Sequence, residues 1–187
     1  EFDDTNVFSE NRFTGLDRVE GGQRLYYGLR FGIFGASGYS DGFIGQSYRT
    51  RRDNNFSSTS GLNDHFSDIV GRVSVQPSSP VKLQYRFRID KDDLTARRNE
   101  LSANIGPPAL ALNLNYSFFD EGSGSGEFTD REEINYGFSS QITPAWSINA
   151  STSRDLQASR TLNHRIRLTY KCDCFNMNLS FHRSFTQ

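Results

Sequence analysis

The chain has two cysteines, and they stand two positions apart, Cys172 and Cys174 with Asp173 between them. Thiols so placed support disulfide formation or, given further ligands, zinc binding. No third zinc ligand lies nearby in the sequence, so the metal reading is weak. A bond between the two cysteines themselves would close a very small, strained and reducible ring. Pairing with cysteines outside this chain is the better reading, and two unpaired turn thiols are the alternative. Elsewhere, His65 and His182 have no Ser or Asp at catalytic spacing, and no Gly-rich phosphate loop leads from a strand into a helix. The residues therefore point away from an enzyme and away from any cofactor.

The cysteines sit in the turn of a hairpin. Leu162, His164, Ile166, Leu168 and Tyr170 occupy one face of the segment before it. Phe175, Met177, Leu179, Phe181 and Phe185 occupy one face of the segment after it. Period two is strand geometry. The same period recurs through the chain. Leu25, Tyr27, Leu29, Phe31 and Ile33 alternate with Arg24, Tyr26, Gly28, Arg30 and Gly32. Val81, Leu83, Tyr85, Phe87 and Ile89 alternate with Lys82, Gln84, Arg86, Arg88 and Asp90. Shorter alternating runs follow Ile69, Leu101, Leu110, Ile134 and Trp146, while residues 42–50 read as a strand of uncertain phase. Turns are marked by residues 35–41, 77–80, 91–93, 106–109 and 143–145, which hold the prolines outside the strand interiors.

These segments predict an all-β fold, an antiparallel meander of about ten long strands. Each is near the roughly 9–11 residues that a tilted strand needs to cross a bilayer. Residues 1–21 read as a long loop and residues 22–186 as the strands. No run approaches the roughly 18 apolar residues of a membrane-spanning helix, and no signal peptide is recognisable. The chain opens on Glu1 rather than Met, which suggests a piece of a longer protein.

Alternation alone does not decide which face meets which solvent, because a water-soluble β-sandwich shows it too. Composition and loop lengths decide. Hydrophobic residues are only 35% of the chain, yet there are sixteen Phe, eight Tyr and sixteen Gly. One face of each strand is apolar to both ends, and the other stays hydrophilic at mid-strand. That is the pattern of a transmembrane barrel, with lipid outside and a wet lumen inside. Closure would also remove exposed strand edges. Counting back from the cysteine turn, every second connection is short. The intervening ones include the long stretches 1–21, 51–65 and 120–131, with residues 91–93 a short exception. Outer-membrane barrels carry short periplasmic turns and long external loops, which places the cysteine turn in the oxidising periplasm, where disulfides persist.

On this phasing Arg24, Arg30, Arg72, Lys82, Arg86, Arg88, Arg165 and Arg167 are lumen-facing basic residues. They could attract an anionic solute, but charge ladders against Asp90 and Glu100 in a hydrated lumen are the preferred reading. His164 and Arg183 fall in the lipid-facing phase near strand ends and are expected at the outer headgroup level. A net charge of −1 gives no support for a nucleic-acid partner.

Two stretches resemble one family. F-D-D-T-N-V-F-S-E-N-R-F-T-G-L-D-R, residues 2–18, is similar to a loop of the LptD family of lipopolysaccharide-assembly outer-membrane proteins, also called organic solvent tolerance proteins. Y-K-C-D-C-F-N-M-N-L-S-F-H-R-S-F, residues 170–185, resembles that family's cysteine-bearing turn. The resemblance implies that this chain is the C-terminal portion of a large outer-membrane β-barrel of 26 strands. The N-terminal periplasmic domain and the final strand would then be absent. It implies lipopolysaccharide as cargo, an LptE-type lipoprotein plug in the lumen, delivery along a periplasmic Lpt bridge, and insertion into the outer leaflet. It also implies disulfides from Cys172 and Cys174 to cysteines of the absent N-terminal region. Asp173 separates the two cysteines, where family members have them adjacent. A generic porin-like barrel and a soluble β-sandwich binding module are the alternative readings.

Overall fold

The computed structural model describes residues 2–9, 22–51, 61–120 and 130–185. They form one ten-stranded sheet in which every strand pairs with the next in sequence. The strands are β1 (Arg24–Phe34), β2 (Tyr39–Arg49), β3 (Ile69–Ser78), β4 (Val81–Ile89), β5 (Ala96–Ile105), β6 (Ala111–Phe119), β7 (Arg131–Gln141), β8 (Trp146–Asp155), β9 (Arg160–Cys172) and β10 (Phe175–Ser184). All pairings are antiparallel. The expected all-β meander is therefore the observed fold. No second sheet packs on this one among the described residues, so the β-sandwich arrangement is not adopted.

Register carries the alternation across the whole sheet. Arg72 stands opposite Arg86, Arg86 opposite Glu100, Glu100 opposite Ser117 and Ser117 opposite Glu133, so one face is polar along a continuous row. The other face is apolar and bare: Leu29, Ile33, Leu112, Leu179 and Phe181 are all more than half exposed. A one-residue slip in any pair would exchange the two faces. The single uncertain strand, β2, places Phe43 on the polar face and Ile44 on the apolar one, which is why its phase is ambiguous in the sequence.

Connections alternate in length between the two ends of the sheet. At the end that carries the cysteines, Cys172 pairs with Phe175 across a two-residue turn, and residues 79–80, 106–110 and 142–145 link other pairs. At the opposite end residues 50–68 and 120–130 make long links, whereas residues 90–95 and 156–159 are short. The latter falls where the sequence places a loop, near residues 155–160.

The buried apolar core does not lie between layers. Phe2, Val7, Leu62 and Val70 form it, with Phe43 packed against them. Residues 2–9 and the stretch 61–68 thus fold onto the polar face of β2–β5. Val70 and Phe43, apolar residues in a polar phase, are the sites they cover. Phe8 meets the Phe43 ring edge-on with centroids 5.6 Å apart, which extends the contact.

Candidate functional site

Three groupings of side chains carry the chemistry: an ion-pair cluster on the polar face, a row of open arginines farther along that face, and the cysteine turn.

The cluster begins with a local turn. The Asp3 carboxylate accepts hydrogen bonds from the Thr5 backbone N–H at 2.8 Å and the Thr5 hydroxyl at 2.6 Å. Asn6 accepts the Asp3 N–H at 3.0 Å. This Asx-type turn, anchored by buried Phe2 and Val7, points two carboxylates at the sheet. Asp4 Oδ1 receives both Nη2 and Nε of Arg86, at 2.7 and 2.8 Å, while Asp4 Oδ2 lies 3.4 Å from Arg72. Asp3 Oδ2 lies 3.5 Å from Arg86 and 3.4 Å from Arg98. Glu100 closes the ring at 3.0 Å from Arg98 and 3.4 Å from Arg86. Burial raises the Asp3 carboxyl, but the Thr5 hydroxyl, the Thr5 backbone N–H and the Arg98 and Arg86 charges outweigh it and hold it below the usual carboxylate range.

Beside the cluster, Arg88 Nε lies 3.4 Å from Asp68, both side chains being 6% exposed. Burial pushes the Asp68 carboxyl up to about 6 against the pull of Arg88. The Asp68 N–H donates to Gly61 O at 3.0 Å, and this backbone bond ties the two ends of the stretch 61–68 together.

The basic residues singled out in the sequence thus fall into two sets. Arg72, Arg86 and Arg88 are held by Asp4, Glu100, Asp3 and Asp68. Arg24 lies at the same end of the polar face, 5.9 Å from the Tyr26 ring centroid. Arg30, Lys82, Arg165 and Arg167 are exposed in the same polar phase, and none of the four has an ion pair among the described residues. Arg165 and Arg167 border a hollow of about 340 Å³ with Asn113, Asn135, Asn149 and Ser151. Glu100 pairs with lumen-phase arginines as expected. Asp90 does not: Arg97 holds it at 2.9 Å, and backbone hydrogen bonds from Asp92 and Asp93 also help to keep its carboxyl low against the opposing effect of burial.

Sequence reasoning missed Asp3, Asp4, Asp68 and Arg98. The only local signal for the first two was an Asp-Asp pair bracketed by Phe2 and Val7 in a stretch read as loop. The motif at residues 12–18 lies outside the described residues.

At the turn, Cys172 is half-buried and Cys174 exposed, and both are free. Their sulfurs are 4.0 Å apart, about twice a disulfide bond length. Trp146, Tyr170 and Phe175 form an aromatic row beside them, with successive centroids 4.9 and 5.9 Å apart. At the other end, His164 stands opposite Arg183 on the apolar face, one residue from the end of β10 but four residues inside β9.

One meandering sheet of long strands, bare and apolar on one face and polar on the other, with all connections at its two ends, defines a wall of an outer-membrane-type β-barrel. Residues 1–146 match the family LptD, described as LPS transport system D. The chain belongs to the LptD family, a family of lipopolysaccharide transport and assembly proteins. No match was found among curated proteins.

Proposed function

We propose that this chain supplies ten strands of the barrel wall of the outer-membrane translocon that inserts lipopolysaccharide into the outer leaflet. The family match carries this reading. It is supported by aromatic rings at both ends of the apolar face, Trp146, Tyr170 and Phe175 at one and Tyr48 and Phe66 at the other, in addition to mid-strand rings such as Tyr85 and Tyr136. Such girdles mark the two membrane interfaces of a barrel. In this reading the apolar face meets lipid and the polar face lines a hydrated lumen that holds a lipoprotein plug of LptE type. The basic residues of that face, Arg24, Arg30, Arg72, Lys82, Arg86, Arg88, Arg165 and Arg167, line the lumen. A periplasmic bridge delivers the cargo through a domain outside this chain.

The short-turn end is then periplasmic, and Cys172 and Cys174 form disulfides with cysteines elsewhere in the full-length protein. Exposed thiols in an oxidising compartment favour that outcome. His164 and Arg183 lie at the outer headgroup level. Full-length protein carrying Cys172→Ser and Cys174→Ser, compared with the parent by non-reducing electrophoresis and by surface lipopolysaccharide, tests the role of the turn. Lost disulfide species and reduced delivery are expected; unchanged mobility and delivery would refute it. A passive porin-like channel would instead show solute flux and no dependence of surface lipopolysaccharide on this protein.

A further inference from the structure

Arginines near the long-loop end of this sheet are paired with carboxylates almost as a rule. Arg72, Arg86, Arg88, Arg97, Arg98 and Arg131 each have an Asp or Glu oxygen within 4.0 Å. On the apolar face at that end, two arginines depart from the rule. Arg183 stands opposite His164, and Arg154 stands opposite Ile134 of the same face. Both are exposed, and neither has an ion pair among the described residues.

The local structure holds them in a definite arrangement. Phe185 is the hub: Arg183 lies over its ring at 4.8 Å from the centroid, and the His164 ring meets it edge-on at 5.3 Å and 88°. Thr152 engages His164 Nδ1 at 3.0 Å, which fixes the imidazole and leaves Nε2 without a hydrogen bond among the described residues. A register shift between Ser153 and Arg154 interrupts the β8–β9 ladder just beyond, and such irregularities re-aim a side chain. Two strand spacings and two residues of rise put Arg154 and Arg183 about 12 Å apart at their Cα atoms. Their long side chains reach well into that gap. Glu132 on the same face accepts the Tyr116 hydroxyl at 2.9 Å and makes no ion pair with either arginine.

An unpaired cation on a lipid-facing surface is costly at mid-membrane and tolerated only near the interface. Among the described residues no carboxylate makes an ion pair with Arg154 or Arg183, which leaves both guanidinium groups open to an anion from outside the sheet. The geometry points to a phosphate-bearing lipid headgroup of the outer leaflet, held by Arg154 and Arg183 with His164 Nε2 between them. Guanidinium groups suit phosphate because several N–H donors converge on its oxygens. The inference rests on the proposed function only for the assignment of this face to lipid.

The test uses the full-length protein with its partners in phosphatidylcholine vesicles doped with a photoreactive phosphatidic acid. A photoreactive diacylglycerol with the same tails is the control. Crosslinks are mapped to peptides of β8–β10 and, as an internal standard, to β4. Phosphatidic acid is expected to label β8–β10 more strongly than diacylglycerol does. Arg154→Gln with Arg183→Gln should lower that labelling by roughly tenfold, the loss expected for one charge-assisted hydrogen bond, and leave β4 unchanged. Equal labelling by both lipids, or by parent and variant, overturns the site. Protection of the site by inorganic phosphate together with equal labelling by the two lipids overturns it in favour of a soluble anion. If neither lipid labels β4 or β9 at all, the lipid-facing assignment itself fails, and the site fails with it.

Discussion

Replacing Asp4 by Asn removes the charge that joins residues 2–9 to the sheet and keeps the shape of the side chain. Asp4 is 2% exposed, receives two N–H donors of Arg86 at 2.7 and 2.8 Å, and faces Arg72 at 3.4 Å. Stripping one partner from a buried ion pair costs about 3–5 kcal/mol when the other charge is left stranded. Arg86 is not stranded, since Glu100 and Asp3 remain within 3.4 and 3.5 Å, and its side chain is 25% exposed. The expected loss is therefore about 1–3 kcal/mol. It should fall on the docking of residues 2–9 and not on the sheet, whose backbone ladders do not involve Asp4. Hydrogen exchange of the full-length protein reads this directly through the Thr5, Asn6 and Ser9 amides, which donate to Asp3 Oδ1, Asp3 O and Asn6 O. Their protection should drop about 5- to 150-fold, the equivalent of that free energy. Arg86→Gln should produce a similar drop, and the double variant should lose less than the sum, because the two residues share one interaction. Protection unchanged within twofold in Asp4→Asn, or strict additivity with Arg86→Gln, would refute the view that this pair anchors the segment.

Asp68 should make the neighbouring anchor pH-dependent. Its carboxyl lies at about 6 against an ordinary 3.8, so the docked state binds a proton more tightly than the undocked state. Protection of the Asp68 amide should fall as pH rises from 3.8 to about 6 and then level off, and Asp68→Asn should flatten the curve. Leu179→Lys, in the middle of the apolar face of β10, should cost about 2–4 kcal/mol in a urea titration of full-length protein in vesicles, as a charge near the bilayer centre does. Ser180→Glu on the opposite face, beside Arg167, should shift the midpoint little; equal costs would mean the faces are misassigned. At the β5–β6 turn Gly106 has φ +122°, and an added Cβ would lie 2.2 Å from Leu110 O. Gly106→Val should therefore destabilise that hairpin by about 1–3 kcal/mol in the same titration.

Most of the sheet was legible in the sequence because its determinants are local. Alternation at residues 81–90 and 162–170 set the two faces, and Gly and Pro set the turns. The parity of connections put Cys172 and Cys174 at the short-turn end. Where local signals conflicted, legibility failed. Phe43 and Val70 are apolar residues on the polar face, and nothing within β2 or β3 explains them until Phe2, Val7 and Leu62 are seen to cover them.

The polar face was readable as basic, but the fate of its charges was not. Asp4 and Arg86 are separated by 82 positions, and Asp3 and Arg98 by 95. A residue's phase says which face it joins and nothing about which distant carboxylate will be brought to it. Register across β3, β4 and β5 stacks Arg72, Arg86 and Glu100 in one row, and only the folded position of residues 2–9 delivers Asp3 and Asp4 to that row. The sequence alone determined a two-faced sheet with its thiols at one end, because side-chain period and turn chemistry act over a few residues. The tertiary structure alone decided which arginines are neutralised, which remain open at Arg165 and Arg167, and which stand unpaired on the apolar face at Arg154 and Arg183, because ion pairing depends on through-space distance.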